Sequence, residues 1–172
     1  MTGEFLTKIT VWIALAGYAI SLIIFLQSKS RANWDAIARI FWTAGCIAML
    51  VHVACAFQFY HHWSHSAAYN ETARQTAEVF GLNWGGGIII NYILIIGWIV
   101  DVIWWWRGLA IYRKRSKIFS IVWHVFLFFI FFNAAVVFED GILRWLWLTF
   151  SSALVFILFQ KSSKRSIGLN ES

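Results

Sequence analysis

Four of the chain's five histidines fall between His52 and His65, in the stretch His-Val-Ala-Cys-Ala-Phe-Gln-Phe-Tyr-His-His-Trp-Ser-His. Imidazole is the side chain that changes charge near neutral pH, and it is the commonest metal ligand. His61 and His65 stand at i, i+4. If the helix that carries His52 continues through them, they share a face and can chelate one ion. His62 lies beside them, and Glu139 or Asp140 from a later turn would complete a shell suited to zinc, iron, manganese or copper. The alternative is that these histidines cap a helix end and hydrogen-bond water or lipid headgroups, because His-His-x-x-His is not a diagnostic motif. Met49, His52 and Cys55 make a second set, a soft sulfur–imidazole combination of the copper(I) kind. Met and Cys are also ordinary packing residues. Cys46 and Cys55 are nine positions apart on one expected helix, on opposite sides of its axis, and cannot pair with each other.

A second constellation is Arg39, Asp101 and His124, which fall at matching depth on three different apolar runs. The structural reading is an ion pair between Arg39 and Asp101 with His124 nearby, which would satisfy charges that lipid rejects. The functional reading is a proton relay or a quinone-head site. A b-type haem needs two axial histidines at one depth; His52 and His124 sit toward opposite ends of their runs and suit it poorly. Asn91 and Asn133 lie on the same half of their runs as His52, and polar groups at such depth face a bundle interior.

The elements that must position these residues are set by composition. Of 172 residues, 60% are hydrophobic and 13% charged, against about 25% charged in a soluble domain. Repeated apolar runs of about 20 residues identify membrane-spanning helices. The expected fold is all-α: a single polytopic domain, a bundle of five transmembrane helices at about 5–27, 35–60, 87–106, 118–138 and 142–160. The first run lacks a basic leader and a small-residue cleavage site, and reads as a retained helix. The loop 61–86 contains a short surface helix over 70–80, with Asn70 as N-cap, an apolar stripe of Ala73, Ala77 and Phe80, and Gly81 at the C-terminal cap. Gly85, Gly86 and Gly87 lack the strand and Lys-Ser/Thr of a phosphate loop, so close packing explains them better. Asn70-Glu-Thr is a glycosylation sequon, relevant in a eukaryotic secretory membrane alone.

Positive charge collects at one set of loops: Lys29, Arg31, Arg107, Arg113, Lys114, Arg115, Lys117, Lys161, Lys164 and Arg165, against Lys8, Arg74 and Arg144 at the other. By the positive-inside rule the N-terminus lies outside, the C-terminus in the cytoplasm, and the histidine loop outside a cell membrane. Trp104, Trp105 and Trp106 before Arg107 read as an interfacial aromatic belt. The net charge of +6 follows from this asymmetry, and no nucleic-acid signature accompanies it. The absence of proline disfavours a broken-helix transporter. No catalytic motif stands out. The expectation is a non-catalytic accessory or structural subunit, in contact with lipid and with other membrane subunits or copies of itself. The rivals are a metal-binding protein or metalloenzyme that uses the outer histidines, and a haem- or quinone-binding redox subunit.

Overall fold

The computed structural model describes residues 2–27, 32–137, 141 and 144–152, and every regular element among them is a helix. The chain divides into two compact units, residues 1–119 and 120–172. Among the described residues four helices are long and apolar enough to cross a membrane: Gly3–Phe25, Asn33–His61, Gly87–Trp106 and Lys117–Val137. Of the expected fifth span, residues 144–152 are helical; its remainder, the turn residues Glu139 and Asp140, and the basic positions Lys29, Arg31, Lys161, Lys164 and Arg165 lie outside the described residues.

In the first unit, α1 (Thr2–Gln27) packs along α2 (Ala32–Ala56). Neither helix contains proline, and their threonine hydroxyls are satisfied locally: Thr7 and Thr10 on α1 and Thr43 on α2 donate to carbonyls one turn back. Small residues let the two backbones meet. A Cβ on Gly17 would lie 2.8 Å from both the Gly45 Cα and the Phe41 carbonyl oxygen, so glycine is required by proximity. Ala14, Leu15, Tyr18 and Ser21 of α1 and Ala38, Trp42 and Cys46 of α2 are buried around this crossing.

The α2 helix continues as a π-turn, Phe57–His61, and then stops. His62 and Trp63 take left-handed backbone angles, φ 47° and 58°. Such angles cost non-glycine residues about 1–3 kcal/mol each. The turn is secured by the His62 and Trp63 N–H groups, both donating to the Phe57 carbonyl, and by Trp63 Nε1 donating to the Gln58 side chain at 2.8 Å. The next helix, α3, runs His65–Phe80, capped by the Ser64 hydroxyl, which accepts from the Ala67 N–H. It begins five residues before the expected Asn70, because Ser64 supplies the cap. Its far end matches expectation, with Gly81 at φ 71°. The glycine run then passes close beneath α3: a Cβ on Gly85 would overlap the Tyr69 carbonyl and ring, and one on Gly87 would press the Thr72 methyl.

The α4 helix (Gly87–Trp106) is capped by Arg107 and followed by Gly108, whose φ of 137° favours glycine and turns the chain. A short helix, α5 (Leu109–Arg113), follows. In the second unit, the α6 helix (Lys117–Phe132) buries Trp123, Leu127 and Phe131 and closes with a π-turn, Asn133–Val137, whose Val136 carbonyl accepts from Arg144 Nε at 2.6 Å.

Alanine at position 17 tests the crossing, since two effects oppose. Replacing glycine inside a helix gains about 1 kcal/mol of propensity, whereas overpacking costs about 1–3 kcal/mol. The clash is with backbone, which cannot rotate away, so Gly17→Ala is expected to lower the thermal midpoint in detergent and Gly17→Leu to lower it further. A midpoint that rises with alanine would mean the helices do not meet there.

Candidate functional site

Polar residues of the first unit gather at two places, one at each end of α4. At the α3 end a cavity of about 780 Å³ is bounded by Thr7 of α1, the last turns of α2 with its π-turn, α3, and the first turns of α4. His52, His61 and Asn91 all line it. Val53, Ala56, Ile88 and Ile95 supply apolar wall. His52 Nδ1 lies 2.8 Å from the Thr7 carbonyl oxygen. A carbonyl only accepts, so Nδ1 carries the proton and Nε2 is left with its lone pair.

The histidines divide differently from the sequence expectation. His61 and His65 do not share a helix face, because the chain reverses between them at His62 and Trp63. His61 packs edge-on to Phe57 and lines the cavity. His62 is exposed in the left-handed turn. His65 opens α3, stacks on the Tyr92 ring and places Nδ1 2.9 Å from the Tyr92 hydroxyl. Among the described residues no three His, Cys, Asp or Glu side chains come together as a metal shell; Glu139 and Asp140 lie outside those residues. Met49 is buried, Cys55 is half-buried, and His52 turns to Thr7.

On α3, Arg74 grips Glu71 through two bonds of 2.6 and 2.9 Å and bonds Glu78 at 2.5 Å. The Arg74 hydrogen bond holds the Glu71 carboxyl below its ordinary range, and Glu71 in turn raises Arg74. Among the described residues the full charges on the cavity wall, Glu71 and Arg74, are therefore paired with each other, and Arg74 is shared with Glu78.

The opposite end is built by α5. The expected Arg39–Asp101 pair does not form. Asp101, buried to 3% exposure, takes Arg115 at 2.5 Å and the Tyr112 hydroxyl at 2.9 Å. Arg115 also lies over the Tyr112 ring, and Tyr112 stacks flat on Trp105 at 4.5 Å. Burial, and then the Asp101 charge, pushes the Tyr112 phenol well above its ordinary value, which keeps it a donor. Arg113 reaches the buried carboxylate of Asp35 at 2.6 Å. Arg39 instead covers the Trp106 ring at 4.1 Å, and Trp106 Nε1 donates to Thr43. Trp105 is buried against Trp42 and Phe25, so the tryptophan triplet is partly core. The physical reason is the turn at Gly108, which carries Tyr112 and Arg115 back to the end of α4; read as a linker, the basic segment concealed these partners. His124, half-buried, and Asn133, whose side-chain amide donates to the Phe129 carbonyl, belong to the second unit.

No family model, characterised protein or solved structure matches the chain.

The Glu71–Arg74 tie makes the fraying of α3 pH-dependent. A carboxylate whose folded value is lowered contributes stability at neutral pH and loses it as pH falls through that lowered value. Hydrogen-exchange protection of α3 is expected to fall on acidification below the ordinary carboxylate range, and Glu71→Gln to flatten that dependence. Because the pair is substantially exposed, the effect should be small and weaken with salt. An unchanged profile in Glu71→Gln would assign it to another group.

Proposed function

We propose that the chain is a multi-pass protein of the cell membrane, with five spans, its N-terminus and the α3 end outside, and its C-terminus in the cytoplasm, and that it serves as a non-catalytic accessory subunit of a larger membrane complex. The observation that carries this reading is the commitment of both buried carboxylates of the first unit. Asp35 and Asp101 are each tied to an arginine of the segment 113–115. Ionisable groups at membrane depth mark either pathways or internal ties, and these two act as ties. The apolar surface supports the same reading: Ile89, Ile93, Ile96, Val100 and Ile103 form an exposed stripe along α4, available to lipid or to a neighbouring subunit. The orientation rests on the basic residues at the α5 end, since arginine and lysine are retained on the cytoplasmic side.

Gentle solubilisation followed by cross-linking and native electrophoresis is expected to recover the protein in an assembly of fixed stoichiometry. Purification as a lone, stable monomer would contradict the subunit reading. In a background free of Cys46 and Cys55, cysteine at Ser66 should react with an impermeant maleimide on intact cells, and cysteine at Lys114 only after permeabilisation; the reverse pattern would invert the topology.

A further inference from the structure

We propose that the cavity at the α3 end binds the head of a neutral, hydroxylated aromatic amphiphile, a quinol in its reduced form, with His52 as the acceptor of a quinol hydroxyl. This assigns a ligand to the cavity and does not depend on the accessory-subunit reading.

Four observations converge on that class. The first is the state of His52. Its Nδ1–H is committed to the Thr7 carbonyl, and Nε2 takes no hydrogen bond from the described residues, so a side chain lining the cavity offers a lone pair with a fixed tautomer. A ligand that meets it must donate. The second is charge. Among the described residues Glu71 and Arg74 are the fully charged ones on the wall, and they bind each other. An anionic or cationic head would have to compete with that pair, whereas a neutral head would not.

The third is shape and lining. About 780 Å³ falls within the range of small-molecule sites, roughly 300–1,000 Å³. Phe57, Tyr60, His61 and Tyr92 bring rings to the wall, which favours an aromatic head. The fourth is position. The cavity runs from the polar face of α3 to Ile95, more than two turns into a helix long and apolar enough to cross a membrane. Val53, Ala56, Ile88 and Ile95 give an apolar tail a path. Asn91, exposed on the wall of α4 and without a hydrogen bond among the described residues, supplies an amide that can serve the second ring oxygen.

The redox form follows from the tautomer. A quinone presents acceptors only, and two acceptors repel; a quinol hydroxyl donates to Nε2. The reduced form should therefore bind more tightly.

The test is titration of the full-length protein in nanodiscs with decyl-ubiquinol, kept anaerobic, and with decyl-ubiquinone, read by calorimetry. The expected result is saturable one-to-one binding with the quinol about tenfold tighter, the scale of one hydrogen bond. His52→Phe should weaken the quinol about tenfold and leave the quinone little changed. Asn91→Leu, on a different helix from His52, should weaken both. If His52→Phe does not fold, the redox preference and the Asn91 variant decide. Absence of saturable binding, equal affinity for the two redox forms, or indifference to Asn91→Leu would overturn the assignment. Equal competition by monoolein or phosphatidylglycerol would also overturn it, in favour of a general lipid crevice. A monomer that belongs to no complex yet binds quinol would leave this site standing and remove the subunit reading.

Discussion

A carboxylate buried inside a helix of apolar residues has to be neutralised where it sits, and Asp101 imposes that demand on the first unit. It is nearly inaccessible and lies near the C-terminal end of α4. Lipid would not hydrate it, and an unpaired charge there is expensive. The solution is a return of the chain. Gly108 turns through a positive φ, α5 doubles back, and Arg115 and Tyr112 reach the carboxylate together. The cost of burying the ions is offset by three features at once: short bonds, the cation over the Tyr112 ring, and the Trp105 face beneath that ring. Arg113 and Asp35 repeat the device against α2. A five-residue helix too short to be stable alone is thereby fixed by tertiary ties.

The two ends of α4 are chemical opposites. At the α5 end each carboxylate has found an arginine and the aromatic rings are packed between Tyr18 and Tyr112. At the α3 end the rings and amides surround space, and the charged wall residues Glu71 and Arg74 are tied to each other. There α2 stops in a π-turn followed by two left-handed residues, the kind of backbone cost that persists where neighbouring structure enforces it. A scaffold with one tied end and one hollow end can present a binding surface without flexible machinery.

Hydropathy made the four long helices legible, because an apolar run of about 20 residues has few other fates. Gly81 was legible as a helix end for a similarly local reason: a positive φ favours glycine. The tight approach of Gly85 to α3 was foreshadowed by the glycine run itself. What lay beyond reach were choices among partners. Arg39 and Arg115 were both available to Asp101, and only the Gly108 turn decides between them. Trp105 and Trp106 are neighbours in sequence, yet one is core and the other surface, because successive residues on a helix point about 100° apart. The histidines illustrate the same point. His61 and His65 have chelating spacing only on a continuous helix, and the Trp63 turn, which no propensity signals, separates them. Ser64 did carry a readable signal, a capping residue before a run of good helix formers, but Asn70 offered the same one.

Asp101 and Arg115 act as a unit that holds α5 against the end of α4. A double-mutant cycle on thermal stability in detergent measures it directly. Either Asp101→Leu or Arg115→Met alone strands a buried charge and is expected to cost about 3–5 kcal/mol. Together they remove both charges, and the double variant is expected to be more stable than either single one. Strict additivity, with the double variant weaker than both singles, would contradict the account and show that the two residues stabilise the fold separately.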